Sequence, residues 1–133
     1  MAAKTVSTKK GGPIQPGEHQ LFTIDATGQS LGRVASEAAS ILLGKKSVNY
    51  VQNEVLPVDV VIENAGALKM SEKRIAMKEY YRYTGYPGGL RTTSMQTMIQ
   101  KKGISEVLYT AVDGMIPRNK LRKERMKRLT IKD

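Results

Sequence analysis

The chain contains no cysteine, no tryptophan, one phenylalanine and one histidine. Without thiols there are no disulfides, no thiolate nucleophile and no cysteine-based zinc site. With His19 as the single imidazole, the usual nucleophile–base pairs are missing and no transition-metal cluster can be assembled. His19 itself reads as a solvated linker residue. No stretch approaches the ~18 apolar residues of a membrane span. The first residues carry Lys4, Lys9 and Lys10 but no apolar core, so they do not read as a secretory signal, and they lack the Arg-rich amphipathic pattern of a transit peptide. No internal repeat or heptad array is present.

Acidic residues are scarce at the two ends. Arg118 to Asp133 holds eight of the 22 Lys and Arg residues against two acids, and Met1 to Gly17 adds three lysines and no acid. The middle, Glu18 to Pro117, is nearly neutral, with eleven basic and ten acidic residues. The formal charge of +10 is therefore concentrated at the termini of a balanced body. Such clustering favours a polyanion, because each neutralised phosphate releases condensed counterions. RNA or DNA is the first partner to consider.

Length predicts one domain that buries roughly two-thirds of the surface of its unfolded chain. Residues 1–17, with Lys9-Lys10-Gly11-Gly12-Pro13 and Pro16-Gly17, read as a flexible basic arm, and residues 18–133 as a single α/β domain. Gln20 to Asp25 is a strand candidate. Ser30 is placed to cap a helix with Leu31, Val34, Ala35, Ala38, Ile41 and Leu42 on one face, ended by Gly44. Val58 to Glu63 reads as a strand covered on both faces, so strand–helix–strand predicts a βαβ unit with a parallel sheet. Leu68 to Met70 suggests a further short strand, and Ser71 a helical turn through Ile75. Lys78 to Tyr83 is expected to be extended, and Thr84 to Gly89 a loop.

Two helices should follow, the first with Thr93 and Gln96 as a capping box. In the second, Ile104, Val107, Leu108, Ala111, Val112, Met115 and Ile116 should bury one full face. Beyond Pro117, a helix from Arg118 to Leu129 would be ~18 Å long and basic nearly all round. With little core to hold it, an anionic partner is expected to help order it.

Asp25, at the carboxyl end of the first predicted strand, occupies the place where open α/β sheets often bind ligands. Its surroundings, Asp25-Ala26-Thr27-Gly28-Gln29-Ser30, match neither GxGxxG nor a P-loop, and Asp25 reads as a turn residue. No catalytic residue, cofactor site or metal site is expected. Nucleic-acid chemistry is better supplied. Tyr80, Tyr81, Tyr83 and Tyr86 fall within seven residues, with Arg82 among them and Arg91 just beyond. Tyrosine rings and guanidinium planes stack on unpaired bases, and arginine also grips phosphate bidentately. Alternate tyrosines, such as Tyr81 and Tyr83, would have to turn inward if the segment were an ordinary strand. Lys45 and Lys46 suit both a helix C-terminus and a phosphate. Lys69, Lys73, Lys101 and Lys102 read as a solvated face.

Asp25-Ala26-Thr27-Gly28, Leu31-Gly32-Arg33-Val34-Ala35, Gly44-Lys45-Lys46, Tyr80 through Leu90 and Ala111 through Asn119 resemble, in order and spacing, the large-subunit ribosomal protein L-thirteen family. The similarity runs from about Leu21 to Ile131. It implies a three-layer α/β/α fold around a small, mainly parallel sheet. It also implies a non-catalytic structural protein of the ribosome that binds large-subunit rRNA early in assembly, beside other large-subunit proteins in the cytoplasm or an organelle. Carried over by position, the RNA-facing residues are Arg33, Lys45, Lys46, Arg82, Tyr83, Tyr86, Gly88, Gly89, Arg118, Asn119 and Lys120. Arg91 joins them from the tyrosine cluster, and Arg122, Lys123, Arg125, Lys127 and Arg128 by charge.

The chain departs from the family pattern in several places. Tyr83 stands where the family usually has histidine, Ser47 to Asp59 reads differently, the extension after the last strand is missing and the arm before Glu18 is longer. Two other classes stay open: a free-standing RNA- or DNA-binding regulator, and a small nucleotide-binding enzyme using Asp25. An anionic membrane surface suits the tail less well, because Arg122 and Arg125 interrupt its apolar side.

Overall fold

The computed structural model describes residues 20–47 and 50–133; the expected arm and His19 lie outside the described residues. The β-branched run Val58–Glu63 forms strand β2 at the centre of a three-stranded parallel sheet. Strand β1 (Gln20–Asp25) pairs along its whole length on one side, Gln20 opposite Val58 and Asp25 opposite Glu63. On the other side lies β5 (Leu129–Ile131), with Val60 opposite Leu129. Helix α1 (Leu31–Leu42) connects β1 to β2 and packs against both. The expected α/β class and small parallel sheet are present.

Helix α1 follows its periodicity closely. All six expected apolar positions are buried, and Ala39 joins them. Ser30 occupies the N-cap but makes no side-chain capping bond. The helix ends in a Schellman arrangement: Gly44 N–H donates to the Ile41 carbonyl and Lys45 N–H to that of Ser40. Gly44 takes φ +81°, which favours glycine, and a Cβ there would also push aside the end of the Leu56 side chain.

Strand β2 is not closed equally on its two faces. Val58, Val60 and Ile62 are fully buried, whereas Asp59 and Val61 are only half-buried. A continuous β-branched run thus sits in a sheet whose second face is partly covered. After a short 3-10 turn at Ala65–Ala67, Leu68 to Met70 forms no strand. Its backbone bonds go to loop carbonyls, Leu68 to Ala65 and Lys69 to Gln29, leaving one isolated bridge between Lys69 and Ser30.

Helix α2 (Glu72–Met77) leads into an antiparallel ribbon of β3 (Glu79–Tyr83) and β4 (Leu90–Ser94). Because β4 continues through Ser94, helix α3 (Met95–Lys102) begins one residue later than the capping-box reading predicts. Ser94 is the cap, accepting from Thr97 N–H. Gly103 then separates α3 from α4 (Ile104–Met115). In α4, Val107, Leu108 and Val112 are buried against α1, but Met115 is exposed, its sulfur accepting from Ser36 Oγ at 3.3 Å. The expectation of a fully buried face therefore fails at Met115, which lies beside the exposed Ser36 at the edge of the contact between α1 and α4.

The tail differs most from expectation. Only Arg122–Met126 is helical (α5), and the tail is held by core: Met126 and Leu129 are buried. Arg125 is buried as well, at 2% exposure. Its Nη2 donates to the backbone carbonyls of Gln52 (3.3 Å) and Glu54 (3.0 Å), tying the tail to the segment that precedes β2. Arg125→Ala should leave two carbonyls without a donor and cost about 2–4 kcal/mol. Lys127→Ala, on the exposed side of the same turn, should change stability by less than about 0.5 kcal/mol. Urea unfolding of both variants checks the contrast, and equal stabilities would remove Arg125 from this role.

Candidate nucleic-acid interface

Three exposed basic regions result. The first is the β3–β4 ribbon. Its alternation places Tyr80, Arg82, Arg91 and Thr93 on one face and Tyr81, Tyr83, Leu90 and Thr92 on the other. Tyr80, near the base, is half-buried against the core. Tyr81, Tyr83 and Tyr86 are 67%, 63% and 75% exposed, so the tyrosine that turns inward is neither Tyr81 nor Tyr83. At the base, Met95 N–H donates to the Lys78 carbonyl at 2.8 Å, and β4 touches α2 and α3.

The ribbon's tip is a defined turn. Gly89 N–H donates to the Tyr86 carbonyl at 2.9 Å across Pro87 and Gly88, and Gly88 has φ +73°, the pattern of a type II turn. A Cβ on Gly89 would clash with Thr84, whereas one on Gly88 would meet nothing. Gly89 is thus explained inside the loop, and Gly88 leaves its backbone open to the outside. Directly opposite each other, Arg82 and Arg91 form a cross-strand pair of like charge. Neither has an ion-pair partner among the described residues.

The second region lies on α1 and past its end. Arg33 and Lys45 are exposed, as is Lys46, whose Nζ sits 2.9 Å from Glu37 Oε1. A solvent-exposed pair of that kind is weak and does not commit the lysine. The third region follows Pro117. Arg118, Asn119, Lys120, Lys123 and Lys127 are exposed. Arg122 is not free, because its guanidinium grips both oxygens of Asp113 on α4. Arg128 is half-buried, with Nη1 inaccessible and unpaired.

The assignment by charge therefore needs correction within the tail. Arg125 points inward to main-chain carbonyls, and Arg122 is occupied by a carboxylate. Charge counts could not reveal this, since both pairings join residues distant in sequence. Arg74 and Lys78 carry no mark in the sequence beyond their charge, yet they flank the base of the ribbon. Lys78 Nζ lies 5.6 Å from the centroid of the Tyr80 ring.

Asp25 proves to be a joint in the scaffold. Its Oδ1 accepts from Thr27 N–H (3.0 Å), Thr27 Oγ1 (2.7 Å) and Asn64 Nδ2 (3.0 Å), which ties the end of β1 to the residue after β2. Asn64 holds its place with a left-handed φ of 58°. Hydrogen bonds from Thr27 and then Asn64 hold the Asp25 carboxyl below its ordinary pKa. Among the described residues, no cluster of three or more His, Asp or Glu side chains could hold a metal ion. No helix there is long and apolar enough to cross a membrane.

The family model for "Ribosomal protein L13" matches residues 19–132. The large ribosomal subunit protein uL13 of Caldanaerobacter subterraneus subsp. tengcongensis is 40% identical over 114 residues, covering 86% of this chain and 79% of that protein. That of Symbiobacterium thermophilum is 35% identical with the same coverage. The uL13 of Chlorobium phaeobacteroides is 35% identical over 131 residues, 97% of this chain and 86% of its own.

Because the Asp25 carboxylate is favoured in the folded state, its contribution should be complete above the unfolded carboxylate pKa and fade as pH falls through the lower, folded value. The melting temperatures of the native chain and Asp25→Ala should therefore differ at neutral pH and converge below about pH 4. A pH-independent difference would remove the ionised carboxylate from the account.

Proposed function

The chain belongs to the ribosomal protein L13 family, and from that premise we propose that it is a structural component of the large ribosomal subunit. In this reading it binds large-subunit rRNA, supports early subunit assembly and lies beside other large-subunit proteins within cytoplasmic ribosomes. The family is structural and not enzymatic.

One observation carries the rRNA reading: the ribbon exposes Tyr81, Tyr83 and Tyr86 and sets Arg82 directly against Arg91. Like charges opposite each other in a ribbon are destabilising, and exposed tyrosines gain nothing from the chain's own core. Both features become favourable when phosphate lies between the guanidiniums and unpaired bases stack on the rings. The open backbone at Gly88 admits a close approach at the tip. Arg33, Lys45 and Lys46 supply a second anchorage on α1, and Arg118, Asn119, Lys120, Lys123 and Lys127 a third. The apolar packing of α1 and α4 and the parallel sheet hold these surfaces at fixed spacing. Neutralising phosphates of separate RNA segments from one rigid body lowers their mutual repulsion, which is how a non-catalytic protein promotes assembly.

Replacing Arg118, Lys120, Lys123 and Lys127 together by Ala should reduce the log–log salt slope of rRNA binding by about 3–4, at about 0.9 per phosphate lost. Tyr83→Ala and Tyr86→Ala should each weaken binding by about 1–3 kcal/mol, the value of one stacked base, with the melting temperature unchanged. Filter binding across a salt series measures both. In a sucrose gradient the protein should sediment with the large subunit after a high-salt wash. Recovery only at the top of the gradient would defeat this reading and favour a free-standing RNA- or DNA-binding regulator.

A further inference from the structure

A cavity of about 400 Å³ opens between the start of α1, α2, the base of the ribbon and the end of α4. Leu31, Met95, Ala111 and Met115 give it an apolar lining. Arg74 and Lys78 give it a cationic border, and neither forms an ion pair among the described residues. Tyr80 completes the wall with an aromatic ring.

Two glycines mark this cavity as more than a surface depression. Gly32 in α1 and Gly114 in α4 both border it. Neither has a positive φ, and a Cβ on either would meet no atom within 4 Å. Glycine inside a helix is destabilising relative to alanine. At these two positions neither the backbone conformation nor the chain's own packing calls for it. The contrast with Gly44 and Gly89 is direct, since there a Cβ would strike the chain itself. Both glycines leave the cavity wall without a side chain where they border it.

We propose that this cavity receives a single unstacked RNA nucleotide, with its base between Gly32 and Gly114 against Tyr80 and its phosphate between Arg74 and Lys78. The proposal rests on the rRNA-binding reading above. An apolar side chain from a neighbouring protein would fill the lining but leave two cations without counter-charge. An acidic side chain would answer the cations and leave the apolar surface empty. A nucleotide joins a planar π face to an anion at fixed distance and satisfies both. Thr110 Oγ1 donates to the Glu106 carbonyl at 2.8 Å, so its oxygen lone pairs remain to accept from an N–H on the base edge. Such a nucleotide would lie beside the foot of the ribbon, separate from the ribbon's exposed rings.

The test is ultraviolet cross-linking of large subunits carrying the full chain, with adducts mapped by peptide mass spectrometry, together with rRNA binding by Gly114→Leu and Arg74→Ala/Lys78→Ala. A nucleotide adduct is expected on Tyr80 or on the α4 peptide bearing Met115. Gly114→Leu should fill the space and weaken rRNA binding about tenfold, as for one lost stacked base, while its melting temperature holds or rises. The double variant should weaken binding to a similar degree without touching the lining. Three results would overturn the cavity proposal while leaving the ribosomal reading intact. These are adducts confined to the tail and to the ribbon residues beyond Tyr80, unchanged binding by both variants, or a cross-link from this cavity to a neighbouring protein. Failure of the native chain to sediment with the large subunit would instead overturn the reading on which it rests.

Discussion

Parallel pairing of β2 with β5 is the constraint on which the rest of the structure depends. The last strand joins the sheet beside the central one, so everything between Asn64 and Arg128 must form one long crossover. The crossover contains the ribbon, both long C-terminal helices and the basic segment. Leu129 enters the core with Val60 as its partner, while Val60 N–H donates to the Arg128 carbonyl and Lys132 N–H to that of Ile62. A strand of three residues is short for this task. Burial of Met126 just before it and the Arg125 contacts to Gln52 and Glu54 add the restraint that the ladder lacks.

This arrangement changes the meaning of the tail's charge. A basic helix free in solution would gain order only from its anion. Here the chain sorts its cations by what lies opposite them: Arg125 faces main-chain carbonyls, Arg122 faces Asp113, and Lys123, Lys127, Arg118 and Lys120 face outward. The inward arginines hold the segment still, and the outward residues present their charge from fixed positions. Under the proposed rRNA reading, a segment already held in place loses less entropy of its own on binding, which favours affinity. The ribbon differs, since its strands pair chiefly with each other and leave its rings exposed and its two arginines face to face.

Much of the fold was legible in the residues because it depends on local periodicity. The α1 face from Leu31 to Leu42, the β-branched run of β2 and the Gly-Pro loop between Tyr83 and Leu90 were all recoverable, each set by spacing or backbone preference. The misses share one cause. Leu68 to Met70, Met115 and the Ser94 cap turned on what lay across from them: loop carbonyls, the exposed edge of α1 at Ser36 and the length of β4. In the interface, the tyrosine–arginine cluster was visible as composition. Which tyrosine turned inward was not, because strand alternation fixes only that neighbours point oppositely, and the docking of the ribbon's base decides which of them meets the core.

By itself the sequence determined the α/β class, the order of its main elements, the concentration of positive charge at the ends and the family to which the chain is similar. These follow from side-chain period, from glycine and proline preference and from charge, all carried by residues near one another in the chain. Only the tertiary structure decided that Arg125 and Arg122 belong to the scaffold and that Arg82 stands against Arg91. Likewise, it alone showed that Gly32 and Gly114 border one cavity with Arg74 and Lys78. Each of these joins residues separated along the chain, and the geometry of a polar or apolar contact exists only once packing has brought its two sides together.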